Sequence, residues 1–313
     1  MIRVYRSLDD VQLKREGKPV VVAFGSFDGL HRAHRALIRR VCEQAEGLNG
    51  LSSVLSFSNH PLRVLAPPYC PKLLMSPERK IEILRQMGVD VAIVPEFTRE
   101  LSVVSAKRFI LEVLLERLGM SHIVCGYDCR FGHGGQGNGE LLKSEGQRLG
   151  FSVEVFEAWL QDGVPIGSRL IRELLLIGEV ERAADLLERP HELTGEVIRG
   201  ERRGRRLGFP TANLRFPEEC VAPAMGVYAV WADVGGMRYG GMMNLGMRPT
   251  FGQPDVVPEV HLFNFSGEIR GETLTVYFLR RLRGEKRFSG PQALIRQLRS
   301  DRRAAQRALL EYG

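Results

Sequence analysis

The feature that constrains the fold most is an alternation of short apolar runs with amphipathic segments between residues 18 and 187. Helix signals separate the runs: Ser76-Pro-Glu78 offers an N-cap, a proline at the first helical position and a carboxylate in the first turn, and Gly88 follows the last apolar position. Strands that alternate with helices predict a parallel sheet covered on both faces. The candidate strands are Val20–Phe24, Val54–Phe57, Asp90–Val94, His122–Cys125 and Ser152–Phe156.

The pattern changes at about residue 190. Short β-rich runs are now separated by Gly, Pro, Asn and Asp, which predicts an antiparallel sheet or small barrel. A final helix is expected from Pro291 to Leu310, and we place the domain boundary near Glu188, between domains 1–187 and 188–313. The candidate strands of this half are Leu193–Ile198, Gly226–Asp233, Val260–Phe265 and Thr273–Phe278.

Cysteine usage and hydropathy narrow the class of protein. The five cysteines are odd in number and widely spaced, so no disulfide framework is indicated, and the close pair Cys125 and Cys129 has no second pair at zinc-site spacing. The most apolar early run, Val20–Phe24, is too short for a signal peptide or a membrane span. We therefore expect a cytoplasmic protein with no membrane partner.

The chain is basic overall. The formal net charge is +7, and arginines concentrate in residues 199–206 and 280–287. Such charge favours polyanions in general, so it fits nucleic acid and nucleotide phosphates equally well.

A histidine-containing turn follows the first candidate strand, in Gly25-Ser-Phe-Asp-Gly-Leu-His-Arg-Ala-His34. Gly25 and Gly29 permit a tight turn that a phosphate can approach closely. His31 and His34 fall near a helix N-terminus, where free amides favour anions and imidazoles can stabilise charge on phosphate oxygens. The segment resembles the H-x-G-H signature of the nucleotidyltransferase superfamily in its FAD-synthetase form, with Ala33 in place of glycine. The resemblance implies catalytic roles for both histidines and ATP contacts from Gly25, Phe27, Asp28 and Gly29.

Two further segments are similar to the same family. Gly126-Tyr-Asp-Cys-Arg-Phe-Gly132 resembles G-x-D-F-x-F-G, with Cys129 in place of phenylalanine, and implies that Asp128 binds flavin. Ile166-Gly-Ser-Arg-Leu-Ile-Arg172 resembles I-S-S-T-x-x-R, which implies that Ser168 and Arg172 contact the ATP phosphates. Gly167 and Arg169 depart from the usual serine and threonine, which removes two hydroxyl donors.

A nearby glycine pattern invites a different interpretation. Gly132-His-Gly-Gly-Gln-Gly137 fits G-x-G-x-x-G, the dinucleotide fingerprint. However, it begins several residues after its strand, and no clear helix follows at once, whereas the fingerprint needs the glycines between strand and helix. We interpret the stretch as a loop rather than an NAD site.

The second half carries a long signature, Thr194-Gly-Glu-Val-Ile-Arg-Gly-Glu-Arg-Arg-Gly-Arg-Arg-Leu-Gly-Phe-Pro-Thr-Ala-Asn213, and the chain contains no P-loop. Its glycines would let a loop fold over phosphates, and Thr211 and Asn213 offer oxygen ligands suited to Mg²⁺. The segment resembles the riboflavin kinase signature at every defining position. The resemblance implies ATP contacts from Gly200, Gly204, Gly208 and Pro210.

A glutamate completes this second pattern. Glu259, in Pro-Glu-Val-His-Leu262, matches the general base of the riboflavin kinase family, and the preceding Asn244-Leu-Gly-Met-Arg-Pro-Thr-Phe251 resembles its N-x-G-x-R-P-T-F segment. Residues 282–288 correspond to the flavin-side loop, so Arg248, Arg283 and Glu285 are expected to contact flavin. Arg270 stands where many members carry tyrosine.

Together the motifs resemble the bacterial bifunctional riboflavin kinase/FAD synthetase family along nearly the whole chain. The resemblance implies a Rossmann-like α/β nucleotidyltransferase domain followed by a small antiparallel β-barrel with a C-terminal helix. It implies phosphorylation of riboflavin to FMN and adenylylation of FMN to FAD, with ATP as substrate and Mg²⁺ as cofactor. We expect small-molecule substrates, no nucleic-acid partner, and a monomer or weak oligomer.

Two alternatives stay open at this point. The departures at Ala33, Cys129, Gly167 and Arg169 all fall in the first half, so a riboflavin kinase with a degenerate adenylyltransferase domain fits the same pattern. A basic nucleic-acid-binding protein fits the net charge, although the sequence lacks helix-turn-helix or zinc-finger spacing.

Overall fold

The chain forms two compact units, Met1–Gly167 and Ser168–Gly313. The computed structural model describes residues 1–161, 163–200, 204, 207–248 and 255–312, and for 247, 248 and 255–257 it describes the backbone alone. Within these residues, no helix has both the length and the apolar character that a membrane span requires.

A parallel sheet of six strands forms the centre of the first unit, in the order β1-β4-β3-β2-β5-β6. Every pairing in it is parallel, as the sequence predicted. The first strand was not predicted, because three residues are too few to show an alternating pattern. The strands are β1 (Arg3–Tyr5), β2 (Val20–Phe24), β3 (Leu51–Leu55), β4 (Val91–Ile93), β5 (Met120–Gly126) and β6 (Ser152–Phe156).

Helices cover the sheet between successive strands. Ser76 caps its helix as predicted, because its Oγ accepts from the Arg79 amide at 3.2 Å, and Gly88 turns left-handed after the helix with φ +80°. A two-stranded hairpin, β7 (Leu160–Gln161) and β8 (Val164–Pro165), ends the unit. The helices are α1 (Arg32–Gly47), α2 (Leu62–Leu65), α3 (Pro77–Gln86), α4 (Arg99–Ser102), α5 (Ala106–Arg108), which continues as a π-helix over Phe109–Arg117, and α6 (Gly139–Leu149).

Strand β2 is buried on both faces. Val20, Val22 and Phe24 pack into one apolar cluster, and Val21 and Ala23 pack into the other. Because successive side chains of a strand point to opposite faces, this division places a hydrophobic core on each side of the sheet. The doubly covered sheet predicted from the apolar runs is therefore confirmed.

The strand order reverses direction beside β2. The chain runs from β2 outward through β3, whereas β5 pairs with the other edge of β2. Open α/β sheets bind ligands at such a switch point, outside the carboxyl ends of the strands. The residues that follow β2 and β5 therefore lie where a ligand site is expected.

The second unit is a closed antiparallel barrel in the order β10-β13-β12-β11-β14-β9, preceded by two helices and followed by one. The predicted barrel and final helix are confirmed, while β10 and β12 were not predicted from the sequence. The elements are α7 (Ser168–Ile177), α8 (Val180–Leu187), β9 (His191–Ile198), β10 (Ala212–Arg215), β11 (Gly226–Val234), β12 (Met237–Arg248), β13 (Asp255–Leu262), β14 (Thr273–Arg283) and the C-terminal helix (Pro291–Glu311).

Helices α7 and α8 belong to the barrel unit. The Ala224 amide donates to the Leu175 carbonyl at 2.9 Å, and the Arg280 Nε donates to Glu181 Oε1 at 2.8 Å. The structural division therefore falls after Gly167, earlier in the chain than the boundary at 187/188 that the change of sequence pattern suggested. The two helices retain the amphipathic pattern of the first half although they pack with the second.

A buried ion pair fastens the C-terminal helix to β14. The Arg283 guanidinium contacts both carboxylate oxygens of Asp301 at 2.8–3.1 Å, and the Gln297 amide donates to Asp301 Oδ1 at 2.8 Å. Asp301 is 3% exposed. Removal of one member of such a pair leaves an uncompensated buried charge.

We predict that Asp301→Ala lowers the free energy of unfolding of the barrel unit by about 3 kcal/mol, because Arg283 keeps its charge and loses its partner. Chemical denaturation followed by circular dichroism would measure the change. Arg299→Ala, at an exposed position of the same helix, is the matched control and should change stability by less than about 0.5 kcal/mol. Equal effects of the two substitutions would contradict the assignment.

Candidate functional site

The turn between β2 and α1 is held in an unusual backbone conformation. Phe27 and Leu30 have φ +44° and +42°, in the left-handed region that non-glycine residues rarely adopt, and Gly29 has φ +81°. The buried Asp28 carboxylate anchors the turn by accepting from the Leu74 amide at 2.9 and 3.1 Å. Such strain persists only where the surroundings impose it, and it is concentrated at ligand sites.

Gly25 fits this turn closely. A Cβ at Gly25 would lie 3.2 Å from the ring of Phe27, which is itself 2% exposed. The predicted phosphate-contacting residues Gly25, Phe27, Asp28 and Gly29 therefore form one closely packed turn at the switch point, in which Phe27 and Asp28 are buried.

The predicted histidines stack on each other at the start of α1. Their ring centroids are 3.6 Å apart with an interplanar angle of 19°, and the Phe27 ring meets His34 edge-on at 5.2 Å. His31 is the N-cap residue, and its Nδ1 accepts from the His34 amide at 3.4 Å. In the neutral ring this places the proton on Nε2, which makes Nε2 the hydrogen-bond donor of His31.

The electrostatics at His34 favour an uncharged ring. Burial lowers the pKa of His34 well below 6.5, and the neighbouring His31 and Lys80 lower the same pKa further. A neutral imidazole keeps one N–H donor, which beside a helix N-terminus suits a hydrogen bond to a phosphate oxygen.

Ala33, the first departure from the family pattern, fits the helix. It is the second residue of α1, so its backbone is helical and does not need the conformational freedom of glycine.

The second motif of this unit follows β5. Asp128 lies in the turn after the strand, and a Cβ at Gly126 would be 3.0 Å from its Oδ1. Cys129, the departure from phenylalanine, packs against the core and its thiol hydrogen-bonds to the buried Cys125. This bond to Cys125, followed by burial, raises the pKa of Cys129. Within the described part of the chain, no three His, Cys, Asp or Glu side chains gather as metal ligands would.

The glycine-rich stretch 132–137 is a closed turn. Phe131 and Gly137 form a β-bridge across it, and Gly132, Gly134 and Gly135 all have positive φ. One expectation was wrong: helix α6 begins at Gly139, directly after the stretch, where the Asn138 side chain caps it by accepting from the Leu141 amide at 2.8 Å. Gly139 and Gly146 had obscured this helix in the sequence.

The third motif of the adenylyltransferase pattern lies in the barrel unit. Ser168 is the first residue of α7, and Arg172 lies one turn further along the same helix. Arg169 points to solvent, with 91% of its side chain exposed, and pairs with Glu173 at 2.9 Å. Among the residues that the structure describes, none beyond the two chain neighbours of Gly167 comes within 4 Å of a Cβ placed on it. The assignment of Ser168 and Arg172 to ATP phosphates stays a prediction from the sequence.

A row of polar side chains crosses the barrel. In the strand register, Glu259 on β13 lies directly opposite Asn213 on β10 and Asn244 on β12, so the three side chains share one side of the sheet. The Thr211 hydroxyl donates to Glu259 Oε2 at 3.5 Å. The structure thus brings together the predicted base and both predicted magnesium ligands.

Glycines pack directly against this row. A Cβ at Gly200 would fall 1.9 Å from Asn213 Nδ2, and one at Gly204 would fall 2.3 Å from the Phe209 carbonyl and 3.2 Å from Thr211 Oγ1. Gly208 turns left-handed with φ +83°. Side chains are therefore excluded at Gly200 and Gly204, which keeps the backbone close to the polar row. Residues 201–203, 205 and 206 of this predicted phosphate loop lie outside the described residues.

Two cavities meet at the row. The first, of about 510 Å³, is lined by residues 197–200, 210–213 and 265–270 with Val260 and Leu262, and we call it the Arg270 cavity. The second, of about 340 Å³, contains Glu259, Asn244, Arg283 and Glu285, and we call it the Glu259 cavity. Thr211 and Asn213 line both cavities. Two substrates could therefore meet at these two residues.

The predicted flavin contacts of this unit differ in their positions and in the partners that hold their side chains. Glu285 lines the Glu259 cavity, and its Oε1 would be 2.9 Å from a Cβ at Gly246. Arg283 lines the same cavity, but its guanidinium is already held by Asp301. Arg248 ends β12, and its side chain lies outside the described part, as do residues 249–254.

Sequence reasoning missed His261. Its Nδ1 donates to the Pro210 carbonyl at 2.7 Å, which fixes the segment that carries Thr211, and burial lowers the pKa of His261. The signal was present, because a residue two positions after Glu259 in a strand lies on the same face. Lys80 was missed as well, because a lysine in an amphipathic helix is usually exposed.

Comparison with known protein families agrees with this geometry. The FAD synthetase family model matches residues 13–170, and the riboflavin kinase family model matches residues 187–309. The first match covers the strained turn and the stacked histidines, and the second covers the barrel with its polar row.

Individual relatives extend over both units. The chain is 35% identical to a bifunctional riboflavin kinase/FMN adenylyltransferase of Bacillus subtilis, over 94% of this chain and 93% of the relative. It is 36% identical to the Haemophilus influenzae protein of the same description, over 90% and 91% of the two chains. A solved structure from Streptococcus pneumoniae, described as a macrolide-efflux protein, superposes with a TM-score of 0.88 and 28% identity, over 97% and 98% of the two chains. The chain is a member of the bifunctional riboflavin kinase/FMN adenylyltransferase family.

The low pKa of His34 has a measurable consequence. An unfolded histidine takes up a proton as the pH falls through about 6.5, whereas folded His34 does not. Its contribution to stability is therefore fully present above pH 6.5 and is lost as the pH falls below that value. We predict that His34→Gln flattens the decline in stability of the first unit between pH 7 and pH 5, as measured by thermal unfolding. A ¹⁵N NMR titration that found His34 half-protonated near pH 6.5 would contradict this.

Proposed function

We propose that the chain phosphorylates riboflavin to FMN in its barrel and joins FMN to the adenylyl group of a second ATP in its α/β unit. Membership of the bifunctional family supports both reactions. The observation that carries the kinase assignment is the polar row of Asn213, Glu259 and Asn244 at the meeting point of two cavities. The stacked histidines at the switch point support the adenylyl transfer.

In the kinase reaction, ATP would occupy the Arg270 cavity and riboflavin the Glu259 cavity. The ribityl 5′-hydroxyl oxygen attacks the γ-phosphorus, the bond to the β–γ bridging oxygen breaks, and ADP leaves. Glu259 accepts the hydroxyl proton. The backbone near Gly200 and Gly204, which carries no side chain, would lie against the phosphates.

Magnesium fits the donors present. Thr211 supplies a hydroxyl and Asn213 an amide oxygen, which are hard oxygen ligands, and the Glu259 carboxylate lies within contact of Thr211. When bound with ATP at Thr211 and Asn213, Mg²⁺ would neutralise charge on the transferring phosphate.

In the adenylyl transfer, an FMN phosphate oxygen attacks the α-phosphorus of ATP, the bond to the α–β bridging oxygen breaks, and pyrophosphate leaves. The FMN phosphate is already ionised, so no general base is needed. His31 can donate through Nε2, and the amides at the start of α1 offer further donors. Asp128, after the neighbouring strand, is our candidate flavin contact.

The narrower alternative of a kinase with a degenerate adenylyltransferase domain is not favoured. The FAD synthetase model matches the first unit, and Ala33 is compatible with the observed helix. We propose a functional boundary at 187/188, which is supported by the start of the riboflavin kinase match at residue 187. We further propose small-molecule partners alone, a cytoplasmic location, and a monomer or weak oligomer.

We predict that Glu259→Gln lowers the kcat of FMN formation by about 10²-fold or more, because the attacking hydroxyl loses its proton acceptor, while conversion of supplied FMN to FAD continues. Chromatography of riboflavin, FMN and FAD over time measures both steps. Glu272→Gln, at an exposed position of the barrel, is the matched control. Full kinase activity of Glu259→Gln would overturn the assignment of the base.

We predict the opposite selectivity for His31→Ala. Loss of one donor to the α-phosphate should lower FAD formation by about 10²–10³-fold and leave riboflavin phosphorylation unchanged. Release of pyrophosphate from FMN and ATP provides the assay, and His133→Asn, in the exposed glycine-rich turn, is the control. If both activities fell together in a folded His31→Ala protein, the two sites would not be independent.

A further inference from the structure

Lys80 is a buried cation beneath the strained turn. It lies on α3, is 5% exposed, and its Nζ donates three hydrogen bonds: to the Ser26 carbonyl at 2.8 Å, Ser56 Oγ at 2.9 Å and the Phe57 carbonyl at 3.0 Å. An ammonium group has three donors, so all of them are used. The acceptors are neutral oxygens at the carboxyl ends of β2 and β3.

These hydrogen bonds fix the backbone that precedes the histidines. The Ser26 carbonyl accepts from Lys80 and also from Ser56 Oγ at 2.8 Å, so two donors hold the residue directly before Phe27. Phe27 in turn packs edge-on against His34. A contiguous chain of contacts therefore runs from the ammonium group through the turn to the stacked rings.

The charge of Lys80 reaches the same place. Its positive charge helps to lower the pKa of His34. Burial lowers the pKa of Lys80 itself to about 8, and the charge of Asp28 acts in the opposite direction. Burial of a charged group costs free energy, and an apolar side chain would fill the same space at lower cost, so a buried cation at this position calls for a function. The binding of a triphosphate at the turn would supply that function.

We propose that Lys80 is a positioning residue of adenylyl transfer, which holds the turn from Gly25 to His31 in its strained conformation and sets a fixed positive charge behind the ATP phosphates. The proposal rests on the adenylyltransferase function proposed above. Lys80 acts through the turn, since its donors are already occupied by protein oxygens. It would align the histidines and the helix N-terminus with the α-phosphate as charge develops there.

Steady-state kinetics of Lys80→Met test this role, because methionine has a similar length and no charge. We expect kcat for FAD formation from FMN to fall by about 100-fold, with the KM values for FMN and ATP within about threefold of the wild type. Riboflavin phosphorylation by the same sample is the internal control and should stay within about twofold. Arg85→Met, which removes a charge from the exposed face of the same helix, should leave both activities unchanged.

The wild-type protein offers a second readout that does not depend on the folding of a variant. Because the ammonium form is lost above about pH 8, kcat/KM for FAD formation should decline on the alkaline side of that pH. Asp28, His31 and His34 are the titratable neighbours, and burial, which lowers the pKa of His34 well below 6.5, keeps that ring uncharged throughout this range. The kcat/KM of the kinase reaction in the same samples should show no such decline above about pH 8.

The outcomes separate clearly. Absence of FAD formation in the wild type would refute the proposed function itself. Lys80→Met with kcat near the wild-type value, or with a loss confined to KM, would overturn the positioning role. If Lys80→Met fails to fold, the pH profile decides: a decline above about pH 8 supports the proposal, and a flat profile to about pH 9.5 overturns it.

Discussion

The pairing of β2 with β3 on one side and β5 on the other is the constraint on which the first unit depends. It places a fully apolar strand at the centre of the sheet, with one core on each face. Because the chain leaves β2 in one direction and later returns along its opposite edge, the turns after β2 and β5 share one end of the sheet. The histidine turn and Asp128 lie at the same end of the sheet for this reason, although almost a hundred residues separate them in the sequence.

In the barrel, strand register is what places the proposed site residues on one face of the sheet. A shift of one residue between β10 and β13 would turn Glu259 to the opposite face from Asn213 and Thr211. Glycines at 200 and 204 then bring loop backbone against the row, where any Cβ would collide with Asn213 or the Phe209 carbonyl. The proposed phosphoryl transfer needs positioning more than reactive side chains, and register together with these glycines supplies it.

Much of this could be predicted from the sequence, for identifiable reasons. Fully buried strands such as β2 and capped helices such as α3 carry local signals, and the long motifs located His31, His34, Thr211, Asn213 and Glu259. Strand β12 was missed because three glycines interrupt its pattern, and α6 was missed for the same reason. Lys80 could not be found, since nothing local distinguishes a buried lysine from an exposed one; its role depends on the ends of two strands that meet it only in the folded chain.

The packing of α7 and α8 on the barrel bears on how the two activities could be separated into independent proteins. A fragment that begins at residue 188 would lack α8, whose Val180, Ala183 and Leu186 are buried, and would uncover the barrel surface that this helix covers. A fragment that ends at Gly167 would lack Ser168 and Arg172, which belong to the motif assigned by sequence to adenylyl transfer. The twenty residues 168–187 therefore pack with the barrel unit, and they also carry the motif that the sequence assigns to adenylyl transfer. A gene split at this point would need to duplicate the segment, and this shared stretch is a physical reason for the two activities to remain on one chain.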